Sequence, residues 1–237
     1  MDAITPALSR QSGLLKELVV VAGNVANAST EGYRREASVF TEYVSRAAAP
    51  GGVSMGALRG RFADTAAGAL RETGGDLDLA ITGQGFFAVE RGDEVLLTRA
   101  GRFQMDAEGT LVTPDGHAVL GEAGGRIEVP PETARIDIAP DGTVSLDGLA
   151  TARIGVFEPL PGRTERVGDT MWRAEGGFAF VDEPRLRQGF LEGSNVNTVL
   201  EIARLTEVQR AFEAGENLLN AEHERLTRMI RALGDRP

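Results

Sequence analysis

The C-terminal stretch constrains this fold more than any other part of the chain. Leu205, Phe212, Leu219, Leu226 and Leu233 recur every seven residues, and Val208 and Met229 lie three places after members of that row. Such a stripe belongs to a helix whose apolar side needs a partner. Thr198-Val199-Leu200-Glu201 has the form of a capping box, in which hydroxyl and carboxylate satisfy each other's orphan backbone donors, and Gly234 stands where a helix C-terminus would be relieved. A helix over 198–233 would run about 54 Å, longer than a small domain is wide.

The other end of the chain offers a partner. Residues 3–28 read as a second amphipathic helix, with Thr5-Pro6 as cap and first position and Ile4, Leu8, Leu15, Leu18, Ala22 and Val25 along one broad face. Two such helices bury their stripes against each other or against copies of themselves; a pair of ordinary core helices fits the same pattern. Gly23-Asn24-Val25-Ala26-Asn27-Ala28-Ser29-Thr30-Glu31-Gly32-Tyr33-Arg34 then turns the chain, and the Asn27-Ala28-Ser29 sequon within it reads as turn chemistry. From Ala37 to Gly75 the periodicity weakens, and Ala47-Ala48-Ala49-Pro50-Gly51-Gly52 has none, so an extended connector is expected there.

Residues 76–181 read as all-β. Short apolar runs such as Phe86-Phe87-Ala88-Val89, Val95-Leu96-Leu97 and Ile154-Gly155-Val156-Phe157 are separated by turn pairs, among them Glu108-Gly109, Asp115-Gly116, Asp141-Gly142 and Asp147-Gly148. The net charge of -10 is concentrated in this region: 76–190 carry 20 acidic against 11 basic residues, whereas 1–75 carry 7 against 8. An acidic middle argues against nucleic-acid phosphate as a ligand, and near-neutral ends suit surfaces that meet other protein.

Catalytic chemistry finds little footing. With no cysteine there is no thiolate ligand or nucleophile, and the two histidines, His117 and His223, fall in different segments. Gly83-Gln84-Gly85-Phe86-Phe87-Ala88 satisfies a loose dinucleotide fingerprint, yet that site needs its glycines to open a helix, and Phe86-Phe87-Ala88-Val89 is strand-like. Asp76 and Asp78 lack a third ligand nearby. The expectation is no enzyme activity, no cofactor and no metal. Leu18-Val19-Val20-Val21-Ala22 is too short to span a bilayer, and Met1-Asp2 is unlike a signal peptide, so neither membrane insertion nor a cleaved leader is expected.

Three stretches sharpen this picture. The segment from Gly23 to Arg34 resembles the N-terminal signature of the bacterial flagellar axial proteins, the rod and hook family. Asp76-Leu77-Asp78-Leu79-Ala80-Ile81-Thr82-Gly83-Gln84-Gly85-Phe86-Phe87, with Thr98-Arg99-Ala100-Gly101-Arg102-Phe103, is similar to that family's lead-in to its β domain. Leu191-Glu192-Gly193-Ser194-Asn195-Val196-Asn197, with Gln209-Arg210-Ala211-Phe212-Glu213-Ala214, resembles its C-terminal signature, except that Gly215 stands where Asn is usual. A glycine there costs about 1 kcal/mol of helix propensity, which marks a bend or a close contact.

The resemblance implies an α+β fold in which long terminal helices pair as a coiled coil around which a β domain of short strands packs. It divides the chain into an N-terminal helix and signature loop (1–36), a connector (37–75), a β domain (76–181) and a return segment with C-terminal helix (182–237). It implies a structural subunit of the flagellar rod, located in the basal body across the periplasm, exported through the flagellar type III apparatus and partnered by other rod proteins and by itself. The residues expected to carry assembly are Leu8, Leu15, Leu18, Ala22 and Val25 at one end and Leu205, Val208, Phe212, Leu219 and Leu226 at the other. Asn27 and Asn195 are expected to shape the joint between helices and β domain.

Overall fold

Apolar periodicity places the two helices closely. α1 spans Ile4–Ala26 and α2 spans Thr198–Gly234. The computed structural model describes the backbone of residues 4–45 and 53–234 and the side chains of 7–38 and 62–231; the Ala47–Gly52 run and the side chains of Ile4, Thr5, Pro6 and Leu233 fall outside them. The chain divides into two units. One comprises Met1–Ala26, Arg35–Asp64 and Val196–Pro237, and the other Asn27–Arg34 and Thr65–Asn195.

In the first unit α1 and α2 lie side by side, and a long antiparallel hairpin of β1 (Glu36–Ser45) and β2 (Val53–Ala63) packs on α1. The hairpin occupies the stretch that reads as connector. Its register runs from Glu36↔Ala63 to Ser45↔Val53, with an irregularity at Val39/Phe40. The N-terminus of α2 is capped differently from the box its sequence spells. Asn197 Oδ1 accepts the Leu200 backbone N–H at 3.2 Å, which leaves the Glu201 carboxylate free to turn inward.

The helices pair, but not as the long coiled coil expected, and the region between them is mostly β, with two helices among the described residues. α1 has 23 residues and α2 has 37, so pairing covers only part of α2. Leu8 and Leu15, expected in the seam, are 54% and 53% exposed, while the buried face of α1 is Gly13, Glu17, Val20, Val21 and Asn24. The cause is physical. Heptad counting registers apolar residues and is blind to a seam that buries Glu17 and Asn24 beside its valines, each on a hydrogen-bonded partner from a distant part of the chain.

The second unit is built from short antiparallel strands. Its nine-stranded sheet runs through Thr164–Arg166, Met171–Ala174, Glu94–Thr98, Phe86–Arg91, Ala118–Val119, Leu111–Val112 and Gln104–Met105, with Val156–Pro159 pairing both Phe86–Arg91 and Phe178–Phe180. Ile136–Ile138, Thr143–Leu146 and Leu149–Arg153 make a three-stranded meander, its last turn set by Asp147 and Gly148 at φ +51° and +85°. The core is mainly aliphatic, with Leu79, Ile81, Val89, Leu96, Leu111, Val119, Ile127, Ile154 and Val156 around Phe87. Phe87 meets Phe103 edge-on at 5.1 Å.

Gly83 and Gly85 lead into the strand Phe86–Arg91 rather than a helix. Gly85 has φ +102°, and a Cβ there would meet Val156 Cγ1 at 2.5 Å, so packing accounts for that glycine.

Candidate assembly interface

Sequence places the candidate residues on the two helices and their flanking loops, and the structure sorts them. On α2, Val208 is buried, and Leu205, Phe212, Leu219 and Leu226 are half-buried. On α1, Leu18 and Val25 are half-buried, whereas Leu8, Leu15 and Ala22 face outward. Val19 is exposed beside them, as are Val199, Leu200, Ile202, Leu218, Met229 and Ile230 on α2. The helix pair therefore satisfies one side of each helix and leaves apolar side chains on another.

Polar pairs join α1 to α2 beside the buried Val20, Val21 and Val208. The Arg204 guanidinium donates to Glu17 Oε1 through Nε at 2.8 Å and Nη2 at 2.5 Å. That carboxylate, 6% exposed, holds the arginine above its ordinary pKa, the hydrogen bond outweighing the partial burial. Gln11 Nε2 donates to the Phe212 carbonyl at 3.0 Å, and Gln11 Oε1 lies where a Cβ on Gly215 would stand 2.7 Å away. Gly215 thus marks a close contact between helices. Asn24, with no exposed surface, donates through Nδ2 to Glu201 Oε2 at 3.1 Å. No heptad or charge pattern reveals these pairs, since 177 residues separate Asn24 from Glu201; the one available signal is the placement of Glu17 and Asn24, seven apart, flanking the apolar run Leu18-Val19-Val20-Val21-Ala22.

In the second unit the flanking loops are anchored on one carboxylate. Glu192, 1% exposed, accepts from Arg34 Nη2 at 2.8 Å, Arg99 Nη1 at 3.2 Å and the Gly68 backbone N–H at 2.8 Å. Arg34 also donates to the Ala66 carbonyl, and Arg99 to the Gly83 carbonyl at 2.9 Å. Burial pushes the Arg99 guanidinium down to about 10, with the Glu192 charge opposing that fall. The three signature stretches, distant in sequence, thus converge here: Arg34 from the first, Arg99 from the second, Glu192 from the third.

The same loop is fixed at two further points. Gly32, at φ +69°, donates its N–H to the Glu192 carbonyl at 2.8 Å and passes so close to Ala100 that a Cβ would lie 2.2 Å from its nitrogen. Arg166 lies between the rings of Tyr33 and Trp172, 4.4 and 4.3 Å from their centroids, and donates to the Arg34 carbonyl. Asn27 Oδ1 accepts from Thr30 Oγ1 at 3.0 Å, and Asn195 Nδ2 donates to the Ala66 carbonyl at 2.8 Å. Both asparagines belong to this unit, where each side chain makes a hydrogen bond to a loop residue.

Residues 80–146 match the family model of the flagellar hook protein FlgE/F/G D1 domain, and residues 187–232 that of the flagellar basal body rod FlgEFG protein C-terminal region. The flagellar basal-body rod protein FlgF of Caulobacter vibrioides is 37% identical over 240 residues, covering 98% of both chains. The chain belongs to the flagellar basal-body rod proteins. FlgF of Mesorhizobium japonicum is 34% identical over 99% of each chain, and FlgG of Bacillus subtilis 31% identical over 97% of this chain and 98% of its own. This rod protein is a structural subunit of the flagellar basal body, and no helix among its described residues is long and apolar enough to cross a membrane.

Proposed function

We propose that this rod protein acts mechanically, without catalysis or cofactor, in the place that FlgF fills, with the FlgG-type place as the alternative. Its two helices meet other rod proteins and further copies of itself in a helical stack that transmits torque. It reaches the periplasmic part of the basal body through the flagellar export apparatus. One observation carries this reading: apolar side chains stand exposed on both helices, Leu8, Leu15 and Val19 on α1 and Leu218, Met229 and Ile230 on α2. Apolar surface of this kind on helices marks a protein contact site. Leu15→Asp tests it, because the residue is 53% exposed and its loss should barely affect the monomer. The expected outcome is loss of swimming in soft agar with unchanged melting of the purified chain; normal swimming would sink the proposal.

A further inference from the structure

The first unit holds a buried polar cluster that its apolar contacts do not require. Asn24 is wholly buried and Glu201 is 2% exposed. The Asn24 side chain treats Glu36 as a strand would: Oδ1 accepts the Glu36 N–H at 2.9 Å, and Nδ2 donates to the Glu36 carbonyl at 2.8 Å. Nδ2 also reaches Glu201 Oε2 on α2 at 3.1 Å, and the other oxygen of Glu201 accepts Arg35 Nε at 2.5 Å. The Arg35 carbonyl in turn accepts the Asp64 N–H at 2.8 Å, beside the Glu36↔Ala63 pair that closes the open end of the hairpin. One amide therefore touches α1, α2 and β1 at once.

Apolar contacts are non-directional, so a helix pair held by them alone tolerates a shift of one turn, about 5.4 Å, wherever apolar groups again meet. A buried amide does not, because a shift leaves its donors and acceptor without partners. A single buried asparagine is an attested device for fixing helix register. Here the amide has the added task of seating a strand.

We propose that Asn24 is the positioning residue that sets the register of α1 against α2 and seats the base of the β1–β2 hairpin on them, acting through Glu201 and Arg35. Register and hairpin placement are then preset within one chain. The outward apolar residues are presented at fixed heights before any partner arrives. This last consequence rests on the rod-subunit reading; the register assignment itself does not.

The test exploits the absence of cysteine from the chain. In the full-length protein, Gln11→Cys with Gly215→Cys places a reactive pair at a close approach of the two helices, and a short bis-maleimide bridges it. Efficient bridging is expected in this parent. Adding Asn24→Leu should lower it at least severalfold and raise bridging of the pair one turn away, Gln11→Cys with Ala211→Cys, while helix content by circular dichroism stays constant.

If Asn24→Leu fails to fold, the charge swap decides. Asn24→Asp sets two carboxylates together and should abolish bridging, and adding Glu201→Gln should restore most of it. Unchanged bridging in Asn24→Leu, equal yields for Asn24→Asp with and without Glu201→Gln, or a parent that does not bridge would each overturn the proposal. Normal incorporation into rods alongside any of these outcomes would leave the rod-subunit reading intact, so the two fail separately.

Discussion

Removing the charge on Glu192 should cost the second unit far more than removing a comparable charge at its surface. Glu192→Gln removes the carboxylate that Arg34 and Arg99, 3% and 5% exposed, share. Breaking a buried ion pair from one side costs about 3–5 kcal/mol, because the surviving charge stays buried and unpaired. For a chain of this size each kcal/mol lowers the midpoint by about 2–4 °C, so a fall of roughly 10 °C is expected. Glu31→Gln is the control. Glu31 also binds two arginines, Arg71 at 2.5 Å and Arg102 at 2.8 Å, but those partners are 63% and 50% exposed. Solvent screening limits such a cluster to about 1 kcal/mol, or a few degrees. The sole tryptophan, Trp172, is buried in this unit and stacks on Arg166, so its fluorescence reports the melt directly. Equal shifts for the two variants, or a fall below about 3 °C for Glu192→Gln, would refute the argument that burial sets the cost.

Gly32→Ala should destabilise the second unit by at least about 2 kcal/mol in denaturant melts, since it adds left-handed strain to a clash with backbone that cannot move aside. Gly215→Ala alone should gain little, because the new methyl meets Gln11 Oε1 at 2.7 Å, whereas Gly215→Ala with Gln11→Ala should release about 1 kcal/mol of helix propensity in thermal melts. The Asp141 carboxyl, held below its ordinary value first by the Thr143 backbone N–H and then by its hydroxyl, should titrate low by NMR. Because the folded value lies below the unfolded one, its contribution to stability is present above the unfolded pKa and fades as pH falls through the folded pKa; Thr143→Val should raise that folded value part of the way back.

Sequence made some of this architecture legible and concealed the rest for identifiable reasons. Both helices end within about two residues of where periodicity and cap residues place them, because a long amphipathic period is a strong signal. Strands such as Phe86–Arg91 and Glu94–Thr98 were readable from the short apolar runs Phe86-Phe87-Ala88-Val89 and Val95-Leu96-Leu97. The β1–β2 hairpin was not, because the seven-residue run between its strands, with three alanines before Pro50-Gly51-Gly52, reads as connector rather than as the tight turn of a hairpin. Val208 and Phe212 were visible as members of an apolar row, and both lie at least partly inside. Glu17, Asn24, Glu201 and Arg204 were not, because a polar residue looks solvated until its partner, far away in sequence, is found.

Arg34 and Arg35 are neighbours in the chain, yet the first binds Glu192 in one unit and the second binds Glu201 in the other. Each carboxylate thus keeps its arginine on its own side of a single peptide bond. That bond is a natural exchange point for recombining rod proteins. Chimaeras crossing over there, and again after Asp64 and after Asn195, would inherit whole charge clusters rather than halves. Parents that differ in these residues could then trade β units without stranding a buried ion.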